Sequence, residues 1–179
     1  MNKRELIFVT GYFGAPIREE AHRIAACKGW SVLDLDRAIE EKDGRSIARL
    51  CMMGGEHAYR NAEYEMVEAL CESGRTEGGR TEGGRTESSR TEEEALVVAC
   101  GDGILYDDDS RSLILKHELV IAGEDLSVEQ LWTCARQDED TYHAFMKFGS
   151  EEEKRVKFEE HHRRQAVLFG KIRENDDRK

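Results

Sequence analysis

Apolar residues in this chain gather in four short blocks set between longer polar stretches. Leu6–Thr10 is a continuous run rich in β-branched residues, the pattern of a strand covered on both faces, as in a parallel sheet. Trp30–Asp36, Ala95–Cys100 and Leu119–Ala122 read as further strands. Between them the apolar positions take helical spacing. Ala21, Ile24 and Ala25 mark a first helix that Gly29 ends. A second begins at Arg37, with Asp36 as its alternative N-cap, and Asp43-Gly44-Arg45 breaks it. Ser46 can cap a helix over Ile47–Met53 that stops at Gly54-Gly55, and Glu56–Glu72 carries a stripe of Tyr59, Ala62, Met66, Ala69 and Leu70. Short helices are expected over Ser112–Lys116, led by Ser110, and Val128–Ala135, capped by Ser127 with Glu129-Gln130. A long one covers Glu151–Ile172. Strands alternating with helices predict an α/β chain around a parallel sheet.

Length and composition narrow this picture. With 179 residues, one domain over 1–179 is expected. Within it, Ser73–Glu94 holds no apolar residue and repeats GRTEG, with Arg75, Arg80, Arg85 and Arg90 in phase. Such a segment cannot bury a core, so 74–94 is expected to be a disordered insertion in a surface connection. A formal charge of −11 argues against nucleic acid or an anionic membrane as partner. No apolar run approaches about 20 residues, so no membrane span is expected. MNKRELIFVTG enters a strand without a cleavable apolar segment. Cys27, Cys51, Cys71, Cys100 and Cys134 form no CxxC, which predicts reduced, mostly buried thiols and a cytoplasmic protein.

Candidate chemistry lies where strands meet helices. Leu6–Ala26 runs strand, glycine turn, helix, the layout of a phosphate-binding loop. The usual pattern is G-x-x-x-x-G-K-[ST], in which backbone amides cradle phosphates, the Lys reaches the outer ones and the hydroxyl holds Mg²⁺. Here those positions are Gly11-Tyr12-Phe13-Gly14-Ala15-Pro16-Ile17-Arg18. Pro16 removes an amide donor, Ile17 replaces the Lys and Arg18 the hydroxyl. Glu19 and Glu20 then compete with a phosphate for the positive helix end. Gly11, Gly14, Ala15 and Arg18 remain as nucleotide-side candidates. Asp34 and Asp36 end the second strand, where a carboxylate pair can hold Mg²⁺ or accept from substrate hydroxyls. Arg60 beside them can clamp a carboxylate bidentately. Asp107-Asp108-Asp109 reads as a solvated loop rather than a metal site.

Those residues fall into a longer string of matched spacings. LDLDRAIEEKDGRSIARLCMMGGEHAYRNAEYEMV carries D-x-D (Asp34, Asp36), G-x-S-I (Gly44, Ser46, Ile47) and G-E-x-x-Y-R-x-x-E (Gly55, Glu56, Tyr59, Arg60, Glu63). The string resembles the corresponding region of shikimate kinases, with the altered phosphate loop at the family's distance upstream. The resemblance implies a P-loop kinase-like, three-layer α/β/α fold with a central parallel sheet. It implies that Asp36 and Arg60 meet the ring hydroxyls and carboxylate of shikimate, and that Asp34 lies near Mg²⁺ and assists alcohol activation. Gly101 and Gly103 match two of three glycines lying against substrate. Asp102 departs from the third, where it would repel an anion or pair with Arg18 or Arg60. Arg164 falls near the substrate-carboxylate arginine, with Gln165 aligned most directly. The lid would be Arg136–Ser150, but it lacks R-P-L. The family's last strand and closing helix are expected to be missing after ENDDRK.

Three functions stay open on this reading. The first is a pseudokinase that keeps a pocket for a small, shikimate-like carboxylate. The second is a working shikimate kinase that uses ATP and Mg²⁺ to phosphorylate the 3-hydroxyl. The third is a non-enzymatic module that acts through a protein partner.

Overall fold

The computed structural model describes residues 5–72, 95–138 and 142–176. The GRTEG repeat expected to be disordered lies outside them. Four strands form one sheet: β1 (Leu6–Gly11), β2 (Ser31–Asp34), β3 (Leu96–Ala99) and β4 (Glu118–Ala122), in the order β2-β3-β1-β4. Every pairing is parallel, with Phe8 opposite Val98 on one side and Leu119 on the other.

The period of two along β1 divides its side chains between two cores. Ile7 and Val9 face α1 (Ile17–Lys28), where Ala21, Ile24 and Ala25 cover them. Leu6 and Phe8 face α2 (Leu35–Asp43), α3 (Ile47–Glu72), α4 (Asp108–Ile114) and α7 (Glu151–Asp176). All of Leu6–Gly11 is buried, which is why the run reads as continuously apolar. Burying a side chain such as Phe8 or Ile7 stabilises by about 1.5–3 kcal/mol. A third cluster joins Phe13 to α5 (Val128–Gln137) and α7 through Leu131, Trp132 and Phe158. The short α6 (Ala144–Lys147) lies between α5 and α7 in sequence.

Local signals set most element ends. Gly29 closes α1 in the left-handed conformation, and Ser127 and Gln130 complete a capping box on α5. Gly55 breaks α3 with φ +74° and ψ 174°, at the expected glycine pair.

Three expectations need correction. β2 ends at Asp34, which caps α2 by accepting from the Arg37 amide at 3.2 Å, so Asp36 sits in the first helical turn. α4 starts at Asp108 and its cap is Asp107, which accepts from the Ser110 amide at 2.7 Å, while Ser110 itself is buried. The cysteines were expected to be mostly buried, but only Cys100 is buried, and Cys27 and Cys134 are exposed.

Candidate functional site

The carboxyl ends of β1, β2 and β3 open into a cleft of about 850 Å³. Arg18, Asp36, Arg60, Asp102 and Arg164 all line it. This is the ligand position expected of an open parallel sheet.

From the segment after β1, Arg18 borders the cleft and the loop 12–17 before it does not. Several of that loop's amides donate to the protein's own acceptors. Phe13 donates to Gln165 Oε1 at 3.1 Å, Ala15 to the Tyr12 carbonyl at 2.9 Å and Ile17 to the Ala15 carbonyl at 2.9 Å. Pro16 has no amide hydrogen to offer. Phe13 is 4% exposed, anchored in the α5–α7 cluster. Gly14, at φ +90°, lies so close to α5 that a Cβ there would collide with the Leu131 carbonyl oxygen. Arg18 leaves the first turn of α1 and puts Nε 2.6 Å from Asp34 Oδ2. Both Asp34 oxygens are therefore engaged, one by a guanidinium and one by the α2 cap.

The opposite end gathers the acid and arginine positions. Asp36 Oδ1 accepts from Tyr59 Oη at 2.7 Å. Burial raises the Asp36 carboxyl above its ordinary value, against the pull of that hydrogen bond. Arg60 donates to Glu63 Oε2 at 2.5 Å and to Glu56 Oε1 at 3.1 Å. Gly103 lets Arg60 lie there, because a Cβ would strike its Nη2. Gly101 likewise leaves room for the Tyr59 hydroxyl and is held by Thr10, whose Oγ1 donates to its carbonyl at 2.8 Å.

Glu63 is 1% exposed, and burial pushes its carboxyl from 4.5 up to about 7, against the attraction of Arg60. A raised value means the folded state holds this proton more tightly than the unfolded chain. The folding free energy therefore declines by about 3 kcal/mol as pH rises from about 4.5 to about 7, and is flat above. Urea unfolding across that range is expected to show the decline in the native chain and not in Glu63→Gln, whose amide oxygen still accepts from Arg60.

The centre of the cleft holds the main departure from expectation. Asp102 pairs with neither Arg18 nor Arg60. Its Oδ1 meets His143 Nε2 at 2.8 Å and its Oδ2 meets His161 Nε2 at 2.8 Å. Burial alone would raise the Asp102 carboxyl, but the charges and hydrogen bonds of the two histidines hold it well below the usual range. Gln165 Nε2 donates to the Asp102 carbonyl at 3.0 Å and to Oδ2 at 3.1 Å, so one buried amide ties this carboxylate to the β1 loop. Gln165 thus fills a structural role, while its neighbour Arg164 faces the cleft. Adjacent His161 and His162 diverge, as their spacing on a helix demands: His162 lies against Tyr12, with ring centroids 4.8 Å apart. His143 and His161 stand 41 and 59 residues from Asp102, so no local spacing joins the three. In the expected lid, Arg136 instead pairs with Glu151 at 3.1 Å.

The shikimate kinase family model matches residues 20–78. Shikimate kinase from Chlorobaculum tepidum is 30% identical over 121 residues, 68% of this chain and 53% of that relative. The Chlorobium limicola shikimate kinase is 29% identical over 121 residues, 68% of this chain and 51% of that relative. In sequence the chain is similar to the shikimate kinases. It spans about half the length of these curated shikimate kinases. The fold agrees: the crystal structure of shikimate kinase from Bacteroides thetaiotaomicron matches with a TM-score of 0.70 at 18% identity, over 93% of this chain and 82% of that one. Acinetobacter baumannii shikimate kinase in complex with shikimate gives 0.67 at 20% identity, over 94% and 80%. The shikimate kinase family match takes in Asp34, Asp36, Arg60 and Glu63 and begins two residues after Arg18, past the altered loop.

Proposed function

We propose that this chain is a member of the shikimate kinase family that no longer transfers phosphate and instead holds a small hydroxylated carboxylate of the shikimate type. The observation that carries the reading is the ion pair between Arg18 and Asp34. A guanidinium stands where the family pattern needs the Mg²⁺-holding hydroxyl, and it already neutralises the carboxylate nearest that position. The amides of Phe13, Ala15 and Ile17 are satisfied within the protein. These residues do not fit a Mg²⁺·triphosphate. Phosphoryl transfer rests almost wholly on positioning and charge stabilisation at the phosphates, and charge-assisted hydrogen bonds contribute about 1.5–3 kcal/mol each. Losing several removes triphosphate affinity by orders of magnitude.

The other half of the cleft keeps its recognition groups. Arg60 and Arg164 receive the ligand carboxylate, Asp36 accepts from a ring hydroxyl, and Gly101, Asp102 and Gly103 form the wall beneath. Asp34 serves as the anchor of Arg18 rather than as catalytic base or metal ligand. Among the described residues no helix is long and apolar enough to cross a membrane. The cysteines form no disulfide among the described residues, which favours the cytoplasm.

The test is calorimetric titration with shikimate in the absence of nucleotide, beside a coupled assay for ADP. Shikimate binding with a flat ADP trace is expected. Turnover of ATP that depends on shikimate would restore the working kinase, and no binding at all would point to a module that acts through a protein partner.

A further inference from the structure

We propose that Asp102, His143 and His161 form a binding site for a borderline divalent transition metal such as Zn²⁺ or Co²⁺, open towards the cleft. Each residue offers one ligand atom, and the three lie within 4.8 Å of one another. Both imidazoles aim Nε2 at one carboxylate, each at its own oxygen and each at 2.8 Å. Metal bonds of about 2.0–2.2 Å set neighbouring ligand atoms about 2.8–3.6 Å apart, so the side chains already stand near ligating separation. Charge balance alone does not call for this arrangement, since a single cation neutralises a single carboxylate. Two imidazole nitrogens with one carboxylate oxygen suit zinc, cobalt or nickel and not the all-oxygen shell that Mg²⁺ prefers.

The surroundings are those of a built site. Asp102 is 6% and His161 8% exposed, so both are fixed by packing. Gln165 fixes the carboxylate from the side of the β1 loop, the kind of outer contact that orients metal ligands. His143 is only half-buried and borders the cleft, which leaves coordination positions facing that space. The Tyr106 hydroxyl, buried and without a hydrogen-bond partner among the described residues, borders the same cleft near the His161 ring. An ion here would offer its open positions to an anionic oxygen beside Arg60 and Arg164. This site is separate from Asp34, whose carboxylate is already taken by Arg18.

The experiment is titration of the full chain, first stripped with a chelator, with Co²⁺ followed by its visible d–d absorption and then by Zn²⁺ displacement. The expected result is one ion per chain. Affinity should fall by more than about 10-fold in His143→Ala and Asp102→Asn, and stay unchanged in His57→Ala on the exposed face of α3. Should Asp102→Asn fail to fold, His143→Ala carries the test, because that side chain makes no helix-cap hydrogen bond. Absence of Co²⁺ binding, or binding that His143→Ala leaves intact, would overturn the proposal and leave the three residues as a hydrogen-bonded clamp.

Discussion

Asp102→Ala is expected to lower stability by about 3–5 kcal/mol, because it removes a buried carboxylate to which two histidines and Gln165 are hydrogen-bonded. In a chain of this size that is a fall in Tm of about 10 °C. Three elements lose their common anchor at once: the turn after β3, the segment that leads into α6, and α7. Gln165 also loses one of its acceptors. The effect has a defined pH dependence. The two histidines hold the Asp102 carboxyl below its ordinary value, so the folded state binds that proton more weakly than the unfolded chain does. The stabilisation is therefore complete above the unfolded value of about 3.9 and is lost as pH falls below it. The gap between native chain and variant should shrink as pH is taken from about 5 to about 2. A gap of less than about 1 kcal/mol at neutral pH would place these pairs with ordinary surface contacts.

That network also marks the boundary of what the sequence discloses. β1 and α1 could be read because each is defined by neighbours in the chain: a continuous apolar block, then Ala21, Ile24 and Ala25 one turn apart. The Ser127–Gln130 cap is equally local. The position of Asp36 was not local. Asp34 and Asp36 can each cap a helix, and the choice is made by Arg18 taking one carboxylate and Tyr59 the other. The run Asp107-Asp108-Asp109-Ser110 offers several capping side chains, and tertiary packing buries Ser110. Asp102 was recognised as a departure from the glycine expected there, but its partners lie on distant segments that only folding brings together. Asp34, Asp36 and Arg60 were legible because they fall within one continuous stretch, from the end of β2 through α2 into α3.

Arg60→Ala is expected to weaken shikimate binding by about 10- to 100-fold, the loss of one charge-assisted contact. Arg60→Lys should recover little, since an ammonium cannot reproduce the planar fork that meets a carboxylate with two donors. The same change removes the cation from Glu63, whose buried carboxyl will then hold its proton to higher pH still. Calorimetric titration of the variants reads the first effect directly. An unchanged Kd in Arg60→Ala would move the carboxylate site away from α3, towards Arg164 alone.

The central claim is that the loop between β1 and α1 has closed on itself and no longer takes a nucleotide. Calorimetric titration of the full chain with Mg·ATP tests this most directly. No heat of binding is expected up to millimolar nucleotide. The same silence is expected after Pro16→Gly, Ile17→Lys and Arg18→Ser are combined, because Phe13 and Gly14 stay locked against Gln165 and α5. Saturable micromolar binding by the native chain would contradict it and would make Arg18 a phosphate ligand in place of the missing lysine.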